Sequence, residues 1–301
     1  MSEAKKPADV RPARVDVRKT YKLYIGGAFP RSESGRTYEV SGADGGFLAN
    51  AALGSRKDAR DAVVAARKAV PGWSGATAYN RGQVLYRVAE LLEGRRTQFV
   101  EEVAASDGLS PRGAEATVSA AIDRWVWYAG WSDKISQIAG SVNSVAGPYF
   151  DFSVPVATGV VAVLAPRESS LLGLVSVLAP VIVSGNAAVV VASESGPLPA
   201  VTLSEVLATS DVPAGVVNIL TGRLAELAPH LASHMDVNAI DLTGAPADLA
   251  ADLERAAADN LKRILRAPAA GDEATDWHGA PTTARMLSFL ETKTVWHPIG
   301  V

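Results

Sequence analysis

In the second half of the chain, apolar residues fall into two alternating kinds of run. Short blocks at Val160–Leu164, Ala188–Val191, Val216–Leu220, Ala239–Leu242 and Lys262–Leu265 read as strands. Longer stretches at Leu171–Val183, Leu198–Ala208, Leu224–Ala232 and Ala247–Asn260 read as helices filling the gaps. Strand and helix in strict alternation predict right-handed crossovers and a parallel sheet covered on both faces. The unbroken apolar runs "VVAVLA" and "AAVVVA" suit strands buried on both sides.

The first half is patterned differently. "YKLYIGGAFPRSESGRTY" (Tyr21 to Tyr38) predicts a short strand pair turning at Gly26-Gly27. Ser55-Arg56-Lys57-Asp58 has the form of a capping box, and apolar residues at helical spacing follow it. Further helices are expected at Ala78–Leu92 and Arg95–Ala105. A long one starts at Pro111 behind Ser110 and runs through Trp125, Trp127 and Trp131 to about Ile138. After Arg266, an Ala/Gly/Pro/acid-rich stretch (267–284) reads as a linker, and 285–301 as a terminal strand region.

Composition narrows the function classes. A length of 301 residues allows a sizeable core, and 48% hydrophobic with 20% charged residues is ordinary for a globular protein. A net charge of -3 supplies no basic face for nucleic acid. Residues 1–20 carry Lys5, Lys6, Arg11, Arg14, Arg18 and Lys19 without the apolar core of a signal peptide, and are expected to be a disordered or strapping tail. Leu171–Val183 is too short to span a bilayer, so no membrane association and a cytoplasmic location are expected. The chain contains no cysteine, which removes disulfides, thiolate metal ligands and cysteine nucleophiles together.

Other candidate chemistry has a bland counterpart. His230 and His234, four apart on a helix, have a metal-ligand spacing but no third ligand, which favours a solvated helix face and no metal. The tryptophans at 125, 127 and 131 are expected to pack rather than cage a ligand. No Gly-x-Ser-x-Gly elbow occurs, and the "GVVNILTG" turn lacks the lysine of a Walker loop.

A set of ordered segments carries a resemblance. "LYIGGAF", "SGRTYEV", "YAGWSDKI", "GVVAVLAP", "SGNAAVVVASESGPLPA", "VPAGVVNILTG", "ASHMDVNAIDLTG" and "NLKR" together resemble the aldehyde dehydrogenase superfamily over roughly Tyr21 to Arg266. The resemblance implies a Rossmann-like five-stranded parallel sheet with N-terminal helices, all within 21–266. It also implies a β oligomerisation arm, formed by Tyr149–Val156 ("YFDFSVPV") and Phe289–Pro298 ("FLETKTVWHP").

At the family's functional positions the chain departs from the pattern. Active members have Pro-Trp-Asn-Phe-Pro after the first strand; here Pro166-Arg167-Glu168-Ser169-Ser170 stands there. Glu168 thus replaces an oxyanion-holding amide with the wrong charge, and Glu168 with Ser169 is expected to cap the next helix instead. Lys-Pro-Ser-Glu becomes Val191-Ala192-Ser193-Glu194, and Gly-Ser-Thr-Glu-Val-Gly becomes Gly244-Ala245-Pro246-Ala247-Asp248-Leu249. Lost donors and the added Asp248 charge each weaken NAD binding by about 1–3 kcal/mol. A vestigial dinucleotide site remains at Glu194, Thr221, Gly222 and Gly244, with no cofactor firmly held.

Beyond Arg266 the resemblance to the family's catalytic domain stops, so that domain is expected to be absent. The pattern resembles the cut-down second domain of bidomain aldehyde dehydrogenases. It implies a pseudoenzyme with no catalytic residues, not an active oxidoreductase. Its partners would be a full-length aldehyde dehydrogenase or a second copy, bound through the arm strands. The alternatives are a weak nucleotide-binding sensor, and an enzyme of another class using Glu168, Ser169 or His234.

Overall fold

The computed structural model describes residues 19–266 and 275–300. The tail at 1–18 and the first part of the linker, 267–274, lie outside the described residues.

Strands β1 (Thr20–Tyr21), β2 (Thr37–Ser41) and β3 (Phe47–Ala52) make a small sheet in the order β1-β3-β2. The strand pair expected within Tyr21–Tyr38 forms only around its glycine turn, over Leu23–Pro30. Gly26 and Gly27, with φ of +60° and +81°, reverse the chain between Ile25 and Ala28. The flanks pair once more, Leu23 N donating to the Pro30 carbonyl at 3.1 Å, before Tyr21 runs parallel to β3; on its other side Tyr24 exchanges backbone hydrogen bonds with Ile219. Leu23 and Tyr24 are buried, and the short pair is docked on a distant strand through Tyr24.

Helices α1 (Arg56–Gly75), α2 (Ala78–Gly94), α3 (Arg96–Asp107) and α4 (Pro111–Ala129) follow. The capping box forms as expected: the Ser55 hydroxyl accepts from the amides of Lys57 and Asp58, while the Asp58 carboxylate accepts from Ser55 N at 2.8 Å. At α4, Ser110 accepts from Gly113 N at 3.2 Å and Pro111 occupies the first turn. This helix stops at Ala129 rather than about Ile138. The turn after it is pressed onto α2, where Gly82 leaves room for Ser132 (an added Cβ would lie 2.5 Å from its hydroxyl). The chain resumes as α5 (Ile135–Ala139) and two strands, β4 (Ser141–Asn143) and β5 (Tyr149–Ala157).

The alternating half is β6 (Val160–Leu164), α6 (Leu172–Val183), β7 (Ala187–Val191), α7 (Leu198–Leu207), β8 (Val217–Leu220), α8 (Leu224–Ser233), β9 (Ala239–Asp241), α9 (Ala247–Ala258) and β10 (Arg263–Leu265). The five strands form an all-parallel sheet in the order β10-β9-β6-β7-β8. Two cores lie on its two faces. Val161, Val163, Ala188 and Val190 pack with α4 and α6, whereas Val160, Ala162, Leu164, Val189 and Val191 pack with α1 and α8. This is the two-residue alternation of side chains across a strand, with both faces dry.

The chain ends with α10 (Ala284–Ser288) and β11 (Leu290–Pro298). Strand β11 pairs antiparallel with β5 from Leu290↔Ala157 to Pro298↔Tyr149, and β4 joins on the other side of β5. Asn186, fully buried, fixes where this arm leaves the body. It accepts from Gly159 N at 2.7 Å and donates to the Phe289 carbonyl at 2.8 Å. Residues 277–282, within the stretch read as linker, are tied to α4. The Arg124 guanidinium donates to the carbonyls of Trp277 and Gly279 at 2.9 Å each and to Ser176 at 2.9 Å.

Candidate functional site

A parallel sheet presents a crevice beyond the carboxyl ends of its strands where the strand order reverses. Here the chain runs outward from β6 to β8 and returns to β9 on the other side of β6, so the reversal lies between β6 and β9. A cleft of about 770 Å³ opens at that place. Its walls come from the loops after β6 (Arg167, Glu168), β7 (Glu194), β8 (Arg223) and β9 (Thr243 to Pro246), with β2 closing one side.

Glu194 and Gly244 line this cleft, whereas Thr221 and Gly222 do not. The Glu194 carboxylate accepts from Arg223 Nη1 at 3.0 Å and from Leu224 N at 3.4 Å, so both oxygens already have donors. Thr221 is fully buried and donates to the Ala52 carbonyl at 2.6 Å. Gly222, with φ +140°, lies against Gly54, whose amide would be 3.0 Å from an added Cβ. These two residues join β8 to β3. Gly244 crosses the end of β6 so closely that an added Cβ would lie 2.0 Å from the Ala165 carbonyl oxygen.

The turn after β9 is where dinucleotide phosphates would need backbone amides. The amides of Thr243, Gly244 and Ala245 donate to Asp241, the Leu164 carbonyl and the Leu242 carbonyl. Pro246 has no N–H, and Asp248 sits in the first turn of α9. This turn does not fit a pyrophosphate. The cations at the cleft are Arg167 and Arg223. Arg223 is held by Glu194, while Arg167 makes no side-chain hydrogen bond or ion pair among the described residues.

Glu168 does not cap α6. Its carboxylate accepts from the Trp277 indole at 3.0 Å, at the cleft mouth. Ser169 does take the capping role, accepting from Gly173 N at 2.8 Å, and Asp107 accepts from Ser170 N. Burial pushes the Asp107 carboxyl above the ordinary carboxylate range. Tyr38, on β2, has a buried hydroxyl; burial and the neighbouring Glu194 carboxylate push its ionisation upward, against the opposing pull of the Gly222 backbone and Arg223. Tyr38, Arg167, Arg223 and Trp277 are not among the site residues expected from the sequence. Tyr38 reaches the cleft, and Trp277 its Glu168, only through tertiary packing.

Elsewhere, Trp125 is fully buried, and the Trp127 and Trp131 rings pack 5.5 Å apart against the core. Among the described residues, no cluster of three His, Cys, Asp or Glu side chains is placed to hold a metal. No helix among them is long and apolar enough to cross a membrane.

The family model for the aldehyde dehydrogenase family matches residues 29–268. The chain belongs to the aldehyde dehydrogenase family. Among curated relatives, it is 29% identical over 245 residues to D-glyceraldehyde dehydrogenase (NADP(+)) of Thermoplasma acidophilum, covering 81% of this chain and 49% of that protein. It is 31% identical over 257 residues to cytosolic 10-formyltetrahydrofolate dehydrogenase of Mus musculus, covering 81% of this chain and 28% of that one. Among solved structures, HpcC of Thermus thermophilus superposes with a TM-score of 0.77 at 29% identity, over 82% of this chain and 47% of that one. Betaine aldehyde dehydrogenase of Staphylococcus aureus in complex with NAD+ has the same fold, at a TM-score of 0.77 and 23% identity.

The comparisons correct one expectation. The departures from the family pattern imply a pseudoenzyme, yet the relatives that the chain matches are named as dehydrogenases. The chain spans about half the length of the aldehyde dehydrogenases it matches, or less, and nothing in the matched half shows it to be inactive. The missing cysteine remains a fact of the sequence: no thiolate nucleophile comes from these residues.

Proposed function

We propose that this chain is a structural or regulatory subunit of an aldehyde dehydrogenase assembly. In that assembly it joins a full-length family member, or a second copy of itself, through the β5–β11 arm. The thiolate that attacks the aldehyde comes from outside these 301 residues.

One observation carries the reading: the apolar face of the arm is uncovered. In the antiparallel register, Phe150, Phe152, Val154 and Val156 lie on one face with Val295 and Val142, flanked along β11 by Glu291, Lys293 and His297. Phe150 is 45% and Val142 72% exposed, on a sheet whose other face carries Asn143, Asp151, Ser153 and Thr294 joined by hydrogen bonds. Contiguous apolar surface of this kind calls for a covering partner, and β11 pairs on one side only among the described residues, which suits strand addition.

The test is co-expression with a full-length aldehyde dehydrogenase from the same source, sized by light scattering and assayed for NAD-dependent aldehyde oxidation. A mixed complex with altered activity, lost in Phe150→Asp, supports the reading. A chain that stays apart and leaves activity unchanged refutes it.

A second reading rests on the cleft at the strand-order reversal: a sensor that binds a nucleotide weakly. The affinity is low because the turn amides after β9 have internal partners and Glu194 is paired with Arg223. Calorimetry with NAD decides it: saturable binding weakened by Glu194→Ala favours the sensor, and no heat at millimolar NAD excludes it.

A further inference from the structure

Between the start of α1 and the end of α8 lies a second cavity, of about 570 Å³, which shares no residue with the cleft. Its walls present Arg56, Lys57, Arg60, His230 and His234 against one carboxylate, Glu33. That is three permanent cations to one anion on a chain whose overall net charge is -3. The excess is local and runs against the composition.

The individual groups differ in what they have available. Lys57 Nζ lies 3.3 Å from Glu33, and Arg60 is engaged by its neighbour Asp61 at 2.8 Å. Arg56 has no hydrogen bond or ion pair among the described residues, and neither does the His230 ring. His234 Nδ1 accepts from Asp236 N at 3.1 Å, so its proton sits on Nε2. Burial and the Arg56 guanidinium hold the His230 pKa below the usual imidazole value. For His234, burial outweighs the Asp236 carboxylate, with Lys262 and Arg67 adding to the depression. Arg56, with no anion of its own among the described residues, thus shares the cavity with two imidazoles from the end of α8, beside two further cations of α1 that are each paired with one carboxylate.

We propose that this cavity binds a phosphate group, either free or as a monoester on a small molecule. Phosphate supplies several acceptor oxygens and close to two negative charges, which suits a guanidinium fork beside imidazole N–H donors. The positive end of the twenty-residue helix α1 adds to the field. Its contribution is electrostatic, because the capping box already engages the amides of Lys57 and Asp58.

The experiment uses the whole purified chain. Thermal melts and calorimetric titrations are run with inorganic phosphate, with β-glycerophosphate, and with chloride at matched ionic strength. The expected result is saturable stabilisation by at least one phosphate species and none by chloride; which species binds identifies free phosphate or monoester as the ligand. Arg56→Ala is expected to weaken binding roughly tenfold or more, the loss of one charge-assisted contact. The same variant should keep or raise its phosphate-free melting temperature, since it removes an unbalanced cation. Phosphate should also raise the apparent pKa of His230 and His234 in NMR titrations, by linkage. Equal stabilisation by chloride overturns the proposal. So does phosphate binding that survives Arg56→Ala but is lost in Arg223→Ala, which would place the ligand in the cleft.

Discussion

Asp241 is fully buried at the end of β9, and its charge is balanced by one residue from a distant element, Arg285 of α10. One carboxylate oxygen accepts from Thr243 N at 3.0 Å and from Thr243 Oγ1 at 2.5 Å; the other accepts from Arg285 Nη1. Arg285→Ala leaves the second oxygen buried without a donor. Removing one partner of a buried pair costs about 3–5 kcal/mol. Two hydrogen bonds to Thr243 persist, and the Arg285 side chain is 22% exposed, so water has a route in. Both push the expectation to the lower end, about 3 kcal/mol. Against a total stability of roughly 5–15 kcal/mol this is large. The double variant Asp241→Val, Arg285→Leu removes the charge along with its partner and should recover most of the loss, because apolar replacement of a buried pair is near neutral. The assay is urea unfolding followed by far-UV circular dichroism, repeated in 0.5 M NaCl, which should barely change the difference if the pair is shielded from solvent. A loss below about 1 kcal/mol for Arg285→Ala, or a double variant no better than the single one, would show that Asp241 is neutralised some other way.

Three further outcomes follow from buried groups. Arg124→Met should release residues 277–282, seen as faster amide exchange there and a loss of about 2–4 kcal/mol, since three acceptors lose their donor. Burial raises the Glu102 pKa although Tyr21, Gln98 and Thr202 all donate to one of its oxygens. A raised folded-state pKa means its contribution is full below the ordinary carboxylate value and is lost as pH rises through the raised one. Glu102→Gln should therefore flatten the stability–pH curve between the ordinary carboxylate value and the raised one, and an unchanged slope there would refute the assignment. Gly244→Ala should lower the melting temperature by several degrees whether or not nucleotide is present, because its Cβ has no space beside Ala165; a loss confined to nucleotide binding would contradict this packing role.

The elements legible in advance are those whose cause is local. Ser55 and Asp58 cap α1 with groups three residues apart, and β6 and β7 announce themselves as unbroken apolar runs. The arm strands lie within a residue of the bounds that the family resemblance implied, on segments whose β-branched and aromatic content is local too. The features that sequence reasoning misplaces or misses depend on partners far along the chain. The end of α4 is set by Ser132 meeting Gly82, the fate of Tyr24 by Ile219, and that of Glu168 by Trp277, 109 residues away.

Of the expected site residues, the sequence singled out a glutamate that does line the cleft, Glu194, and a glycine, Gly244, whose necessity is steric rather than chemical. Periodicity, capping and composition determined the fold class and the absence of a cysteine nucleophile, because each is a property of residues a few positions apart or of the chain as a whole. Which carboxylates are paired, which amides remain free and which cations converge on one cavity were decided only by tertiary structure. Those are properties of groups brought within hydrogen-bonding distance by a sheet whose strand order differs from chain order.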